Sequence, residues 1–154
     1  MANFIALFTS FRGRIGRKSW WLGSVLLLGL NAAGVLLLNP NALNLDPDAV
    51  VQPVWAVAIW QLLLLIPTTA IMVKRFNDRD WPYWVGFACG LIFAFGTIVP
   101  QFGFFAGPNV SMEEWIAGLI LTLPTLFAFI VNGFLRGTKG PNRYGPDPLQ
   151  SKST

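Results

Sequence analysis

The sequence predicts an all-α integral membrane protein with four transmembrane helices and both termini in the cytoplasm. A short interfacial N-terminal helix precedes the first span, and a non-helical cytoplasmic C-terminal cap follows the last. Three observations carry this fold class. Hydrophobic residues make up 54% of the 154-residue chain and charged residues only 12%, about half the roughly 25% of a soluble domain; the mean hydropathy is +0.55. The charges are also confined, with none in Ser19–Leu45, Ala49–Val73, Trp81–Met112 or Trp115–Leu135. Each window can hold the about 20 apolar residues that cross a bilayer. Finally, all 11 Lys and Arg residues fall into segments that antiparallel helices would bring to one side of the membrane. Together these features exclude a soluble enzyme domain, a disordered chain and a nucleic-acid-binding module. The pI near 9.7 then reflects membrane topology.

The chain reads as one membrane domain over residues 1–154, beginning with a cytoplasmic and interfacial stretch at 1–19. Within Asn3–Phe11, Phe4, Leu7, Phe8 and Phe11 recur at i, i+3, i+4 and i+7, one face of a helix. Arg12, Arg14, Arg17 and Lys18 follow at once, as in a helix lying in the interface. The first span is placed at 20–38, Trp20 to Leu38. A basic segment before an apolar run also outlines a signal peptide, but this run exceeds a usual h-region and reads as a retained span.

The second span is placed at 51–73, the third at 81–99 and the fourth at 115–135, with a cytoplasmic tail at 136–154. Short connections make neighbouring helices antiparallel, and in lipid only helices satisfy their own backbone at this length. A four-helix bundle follows. Lys74, Arg75 and Arg79 lie between the second and third spans, and Arg136, Lys139, Arg143 and Lys152 lie in the tail. The opposite loops carry Asp46, Asp48, Glu113 and Glu114 and no Lys or Arg. The positive-inside rule therefore puts both termini in the cytoplasm. The charge-free stretch Gln101–Met112, with Gly103, Gly107 and Pro108, reads as an outer interfacial loop.

Within the spans, Pro67 and Pro124 each remove a backbone donor and bend a helix, with Thr68, Thr69 and Thr125 beside them to satisfy freed carbonyls. Gly86 with Gly90, and Gly29 with Ala33, are small-residue pairs suited to close helix approach. Asn31, Gln61 and Asn132 are the amide side chains at depth. No span holds an ionisable group, which weighs against ion-coupled transport. Trp20, Trp21, Trp81, Trp84 and Trp115 sit at span ends as interfacial anchors, while Trp60 is expected to pack between helices. The chain has no His, which excludes Ser–His and Cys–His nucleophiles and His-bound metals. Cys89, the single cysteine, reads as a buried structural thiol.

The halves show a loose internal correspondence. Arg17-Lys18-Ser19-Trp20-Trp21-Leu22-Gly23 is similar to Arg79-Asp80-Trp81-Pro82-Tyr83-Trp84-Val85-Gly86. Leu63-Leu64-Leu65-Ile66-Pro67-Thr68 is similar to Leu119-Ile120-Leu121-Thr122-Leu123-Pro124-Thr125. The pattern is that of two parallel-repeated hairpins.

Three segments of unusual sequence share the cytoplasmic face: Phe11-Arg12-Gly13-Arg14-Ile15-Gly16-Arg17-Lys18-Ser19-Trp20-Trp21, Lys74-Arg75-Phe76-Asn77-Asp78-Arg79-Asp80-Trp81, and Gly137-Thr138-Lys139-Gly140-Pro141-Asn142-Arg143-Tyr144-Gly145-Pro146-Asp147-Pro148. In them the chain resembles the bacterial membrane family called domain of unknown function 805. That family has a Phe-x-Gly-Arg-x-x-Arg-x-x-aromatic-Trp opening, a basic-Arg-x-His-Asp loop and a Gly-x-x-Gly-x-Asn-Arg-aromatic-Gly-x-Asp-Pro tail. Here Asn77 stands where the family pattern has His, and Asp80-Trp81-Pro82 replaces a longer Ser-Gly-Trp stretch. The resemblance covers nearly the whole chain. It implies a small bacterial protein of the cytoplasmic (inner) membrane, with no assigned activity.

The expected functional feature is a cytoplasmic polar cluster of Arg12, Arg14, Arg17, Lys74, Arg75, Asp78, Asn142, Arg143 and Asp147. Arg14 and Arg17, like Arg75 and Asp78, are spaced to share a helix face. Asp78 and Asp147 are expected to pair with arginines, whose planar forks bind carboxylate or phosphate bidentately. The glycine- and proline-rich tail is expected to fold back with Asn142 and Arg143 directed inward. Cations alone would serve topology and anionic lipid; the interleaved Gly, Asn, Asp and Pro imply an ordered cap. The sequence holds no catalytic set, cofactor motif or metal-ligand pattern. It favours a non-catalytic accessory or scaffold subunit whose basic face binds a partner or anionic lipid headgroups. The expected partners are membrane lipids and a larger membrane complex or homo-oligomer, with no nucleic acid. Two other classes remain: an oligomeric transporter, channel or exporter component, and a lipid-phosphate-active enzyme using Asp78 or Asp147. The first would need association, because spans without polar lining enclose no pore.

Overall fold

The computed structural model describes residues 4–43, 54–102 and 111–150. The start of the predicted second span, the loop with Asp46 and Asp48, Gly103, Gly107 and Pro108, and Lys152 lie outside the described residues. Among them the fold is all-helical: α1 (Phe4–Thr9), α2 (Arg17–Leu38), α3 (Trp55–Asn77), α4 (Tyr83–Ile98) with a 3-10 turn over Val99–Phe102, and α5 (Met112–Gly133).

Helix ends follow local chemistry more closely than the apolar windows do. α2 starts before Trp20 because Gly16 is extended at φ −75° and ψ 166° and the helix takes up Arg17 and Lys18. α3 runs a full turn past Val73 and so carries Lys74 and Arg75 as helical side chains. Pro82 opens α4, leaving Trp81 outside the helix. α5 starts at a capping box: the Ser111 hydroxyl accepts from the Glu114 amide, and the Glu114 side chain accepts from the Ser111 amide. That satisfies two amides the first turn would leave unpaired.

Three helices, α2, α3 and α5, are long and apolar enough to cross a membrane by length and composition, and α4 is a shorter apolar helix. The sequence predicts four full spans; the 16 residues of α4 cover only about 24 Å of a roughly 30 Å hydrocarbon layer. Exposed apolar side chains clothe these helices, among them Leu22, Leu28, Leu37, Leu63, Leu91 and Leu119. Apolar exposure on that scale marks a membrane or protein contact.

α3 is the central element and touches α1, α2, α4 and α5. The packed core lies at the end of the molecule where the basic residues gather. Every residue from Thr69 to Asn77 is buried there. Met72, Phe76, Cys89, Ala128 and Val131 form one cluster, and Ile15, Trp20, Leu27 and Ile71 form another. α1, far too short to persist alone, holds its place by packing Leu7 and Phe8 on the second cluster. Gly86 and Gly90 let α4 approach α3: a Cβ on Gly86 would stand 2.6 Å from Val73 Cγ2, and one on Gly90 2.6 Å from Thr69 Oγ1. Gly29 meets nothing within 4 Å, whereas two other α2 glycines lie against neighbours, Gly23 against Ile71 and Phe8 and Gly34 against Trp60.

Helices α3 and α5 continue through Pro67 and Pro124. The Thr125 hydroxyl donates to the Leu121 carbonyl at 2.9 Å, next to the carbonyl that Pro124 leaves free. Trp84 and Trp115 are exposed as anchors would be. Trp20 is buried, and Trp81 packs on the Phe76 cluster with its ring stacked at 5.5 Å, so both serve the interior. Polar side chains reach one space between the helices, although most of its lining is apolar. A cavity of about 370 Å³ is bounded by Ser24, Asn31, Gln61, Thr68, Thr125 and Asn132 among apolar residues.

Candidate functional site

At the basic end, three chain segments meet around one carboxylate. Asp78 follows α3 directly, and its backbone amide closes the last turn on the Lys74 carbonyl at 3.1 Å. Arg75, one turn earlier, reaches the same carboxylate through Oδ2. Arg14 comes from the extended segment between α1 and α2 and donates from Nε to Asp78 Oδ1 at 3.0 Å. The side chains of Arg14, Arg75 and Asp78 are 1%, 0% and 5% exposed. Two guanidiniums therefore share one buried carboxylate.

The remaining donors of both arginines are taken up by the backbone. Arg14 Nη1 donates to the carbonyls of Gly140 at 2.8 Å and Gly145 at 3.2 Å, and Nη2 to that of Thr138 at 2.8 Å. Arg75 Nε donates to the Asn132 carbonyl at 2.8 Å, and Nη2 to the Leu135 carbonyl. The Asn132 carbonyl lies in the last turn of α5, where helix geometry leaves oxygens without intrahelical partners, and the others belong to the segment that follows the helix. Each arginine thus neutralises Asp78 and caps a chain end in one stroke.

Asn77 and Asn142 complete the joint. Asn77 is fully buried, and its Nδ2 donates to the carbonyls of Phe11 at 3.3 Å and Gly13 at 3.1 Å. Gly13 turns at φ +90°, a conformation that suits glycine. Asn142 Nδ2 returns from the tail to the Asn77 carbonyl at 2.9 Å. The Asp78 carbonyl accepts from both the amide and the hydroxyl of Thr138, at 2.8 and 3.0 Å. The tail carries no helix; Asn142 and Gly145 pair across a tight turn, with Gly145 at φ +132°. Tyr144 donates its hydroxyl to the Trp81 carbonyl at 2.7 Å and packs edge-on to Tyr83.

Eight of the nine candidate residues divide into two sets, and Asp147 stands apart from both. Arg14, Lys74, Arg75, Asp78 and Asn142 face inward. Lys74 is 4% exposed, and its ammonium donates to the Ala6 carbonyl at 2.7 Å and the Leu7 carbonyl at 2.5 Å, tying α1 to α3. Arg12, Arg17 and Arg143 face outward. Arg17 is separated from Arg14 by the start of α2, so the two share no helix face; its Nη1 donates to the Phe134 carbonyl at 3.2 Å. Arg143, expected inward, is 54% exposed and pairs with Asp80 at 3.1 Å. Its neighbour Tyr144 takes the inward position.

Asp147 pairs with backbone rather than with arginine. The amides of Leu149 at 2.9 Å and Gly140 at 3.0 Å donate to its carboxylate. These two bonds, Leu149 foremost, hold its pKa below the ordinary carboxylate value. Thr138 and Tyr144 are not singled out by the sequence, and Asn77 is marked there only as a departure from the family's His, although all three stand inside the motif segments. Their roles rest on contacts between positions some sixty residues apart.

Chemically, the cluster is a closed joint. Asp78 accepts from two guanidiniums and shows no open face, and Arg14 and Arg75 have no fork left for a phosphate. Among the described residues, no three His, Cys, Asp or Glu side chains gather as a metal site requires. The outward cations, Arg12, Arg17, Lys18, Arg136 and Lys139, form an exposed rim around the joint.

Comparison with known proteins agrees with the motifs. The family described as "Protein of unknown function (DUF805)" matches residues 8–146. The uncharacterized protein YiiR of Escherichia coli (strain K12) is 31% identical over 152 residues, covering 93% of this chain and 88% of that protein. YiiR of Escherichia coli O157:H7 gives the same figures. No solved structure matches.

Proposed function

The chain belongs to the DUF805 family, and we propose that it serves as a non-catalytic accessory or scaffold subunit of the bacterial cytoplasmic membrane. In this reading α4 and its 3-10 turn form the third span, completing four, since together they rise about 32 Å. Both termini are then cytoplasmic, because the rim and the joint lie at one end and the positive-inside rule places that end.

The observation that carries the proposal is the division of the cations. Those inside are consumed in locking three segments together, and those outside are exposed at the surface, where Arg17 also reaches the Phe134 carbonyl and Arg143 pairs with Asp80. Topology alone needs no such lock. The occupied state of Asp78 and the backbone partners of Asp147 support a non-catalytic role over lipid-phosphate chemistry. The outer rim suits anionic headgroups or an acidic partner surface, at about 1 kcal/mol per cation near the membrane.

The test is the mass of the native particle, purified in mild detergent with its lipids. The proposal expects a larger complex of fixed stoichiometry that dissociates when Arg136 and Lys139 are both changed to Glu. A lone chain, or a complex indifferent to that change, contradicts it. The mostly apolar cavity, with its few polar side chains, favours one second reading, a component of an oligomeric transporter or exporter.

A further inference from the structure

We propose that the cavity between α2, α3, α4 and α5 binds one single-chain glycerophospholipid of the cytoplasmic leaflet. Its acyl chain lies in the slot, its free glycerol hydroxyl meets Asn132, and its phosphate sits near Arg17 and Lys18. This goes beyond the scaffold reading and rests on it only for the side of the membrane.

Three features point to this ligand. The first is shape. The cavity holds about 370 Å³, within the usual range for small-molecule sites of roughly 300–1,000 Å³. From Trp20 to Asn31 along α2 it extends about 16 Å at a helical rise of roughly 1.5 Å per residue, close to half a hydrocarbon core of about 30 Å. The slot therefore has the depth of one leaflet. Its wall includes Val25 and Leu28, which are 62% and 67% exposed, so it opens sideways to where acyl chains run.

The second feature is Asn132. It lines the cavity at the basic end, is 1% exposed, and has no hydrogen-bond partner for Nδ2 or Oδ1 among the described residues. In an apolar layer an amide in that state is strongly unfavourable. It needs a donor and an acceptor together, and a free hydroxyl supplies both. The ester carbonyls of a diacyl lipid supply acceptors alone and leave Oδ1 without a donor.

The third feature is charge. Trp20 and Trp21 line the same end of the cavity, and Trp21 Nε1 donates to the Gly133 carbonyl beside Asn132 at 3.1 Å. Arg17 and Lys18, immediately before them in the first turn of α2, are exposed. A phosphate at the headgroup level meets cations there, while the hydroxyl below it meets Asn132.

The experiment is native mass spectrometry of the full chain in mild detergent, titrated with lysophosphatidylglycerol or with dioleoyl phosphatidylglycerol. The expected result is a saturable one-to-one adduct with the lyso form, weakened at least tenfold in Asn132→Leu and in Ser24→Phe, which fills the slot. Asn132→Leu keeps volume while removing the unpaired amide; whichever variant retains wild-type helicity gives the reading. The absence of a saturable lyso adduct, its survival in the folded variants, or tighter binding of the diacyl lipid overturns the proposal. Arg136→Glu with Lys139→Glu should leave the adduct intact, so failure of the scaffold reading and failure of the lipid site are seen separately.

Discussion

Gly137 lies so close to Asp78 that a Cβ there would overlap the carboxylate and stand 2.9 Å from the Asp78 carbonyl oxygen. The missing side chain lets the tail cross the end of α3 and deliver Thr138 to that carbonyl. Gly137→Ala should therefore displace the tail and loosen the backbone around the exposed Lys139, raising its cleavage rate by trypsin at least tenfold. Gly96→Ala, where a Cβ meets nothing within 4 Å, should leave cleavage unchanged.

Asp78 is the shared carboxylate of two buried guanidiniums and offsets one of their two charges. Asp78→Asn keeps the shape and removes the charge, leaving Arg14 and Arg75 buried and uncompensated. Loss of one partner in such a site costs about 3–5 kcal/mol. Denaturant unfolding in a fixed detergent should show a loss of that order, and a change within experimental scatter would refute the ion-pair account.

Asn77 donates to two carbonyls from a fully buried position. Asn77→Asp has nearly the same volume but replaces the donor with acceptors facing Phe11 and Gly13. The expected cost is about 1–3 kcal/mol or more, the desolvation penalty of an unmet buried group. The N-terminal segment should loosen, and trypsin should then reach Arg14, whose side chain is 1% exposed. Resistance equal to wild type would show that these two bonds do not hold the segment.

Acid should release the tail locally. The Asp147 pKa is lowered in the fold by the amides of Leu149 and Gly140. Its stabilisation is present above the unfolded carboxylate value of about 4 and disappears as pH falls through the lower folded value. Amide exchange of Gly140 and Leu149, corrected for intrinsic rates, should accelerate below that pH. In Asp147→Asn the step should vanish, and a step of the same size in that variant would assign it elsewhere.

Much of this arrangement is legible in the sequence, for identifiable reasons. Charge-free windows mark the long helices because a helix in lipid must be apolar throughout, and the placing of Lys and Arg brings the three motif segments to one end. The shared geometry of Arg75 and Asp78 is local, one helical turn. What stayed hidden depends on contacts distant in sequence. Arg143 and Tyr144 are neighbours, and nothing local reveals that the ring turns in toward Trp81 while the guanidinium turns out. Lys74 looks like a topology charge until α1 folds over it and presents the Ala6 and Leu7 carbonyls. The sequence marks Asn31, Gln61 and Asn132 as amides at depth, but they lie on three helices, and nothing local reveals that they border one mostly apolar cavity with Ser24.

Hydrogen exchange on the wild-type chain in lipid nanodiscs tests the ordered cap most directly. The account predicts that the amides of Thr138, Asn142 and Gly145, bonded to Asp78, Gly145 and Asn142 carbonyls respectively, exchange at least a hundredfold more slowly than a free chain, and that Asp78→Asn abolishes the protection. Free-chain exchange at all three in the wild type would contradict the cap and reduce the basic segments to topology signals.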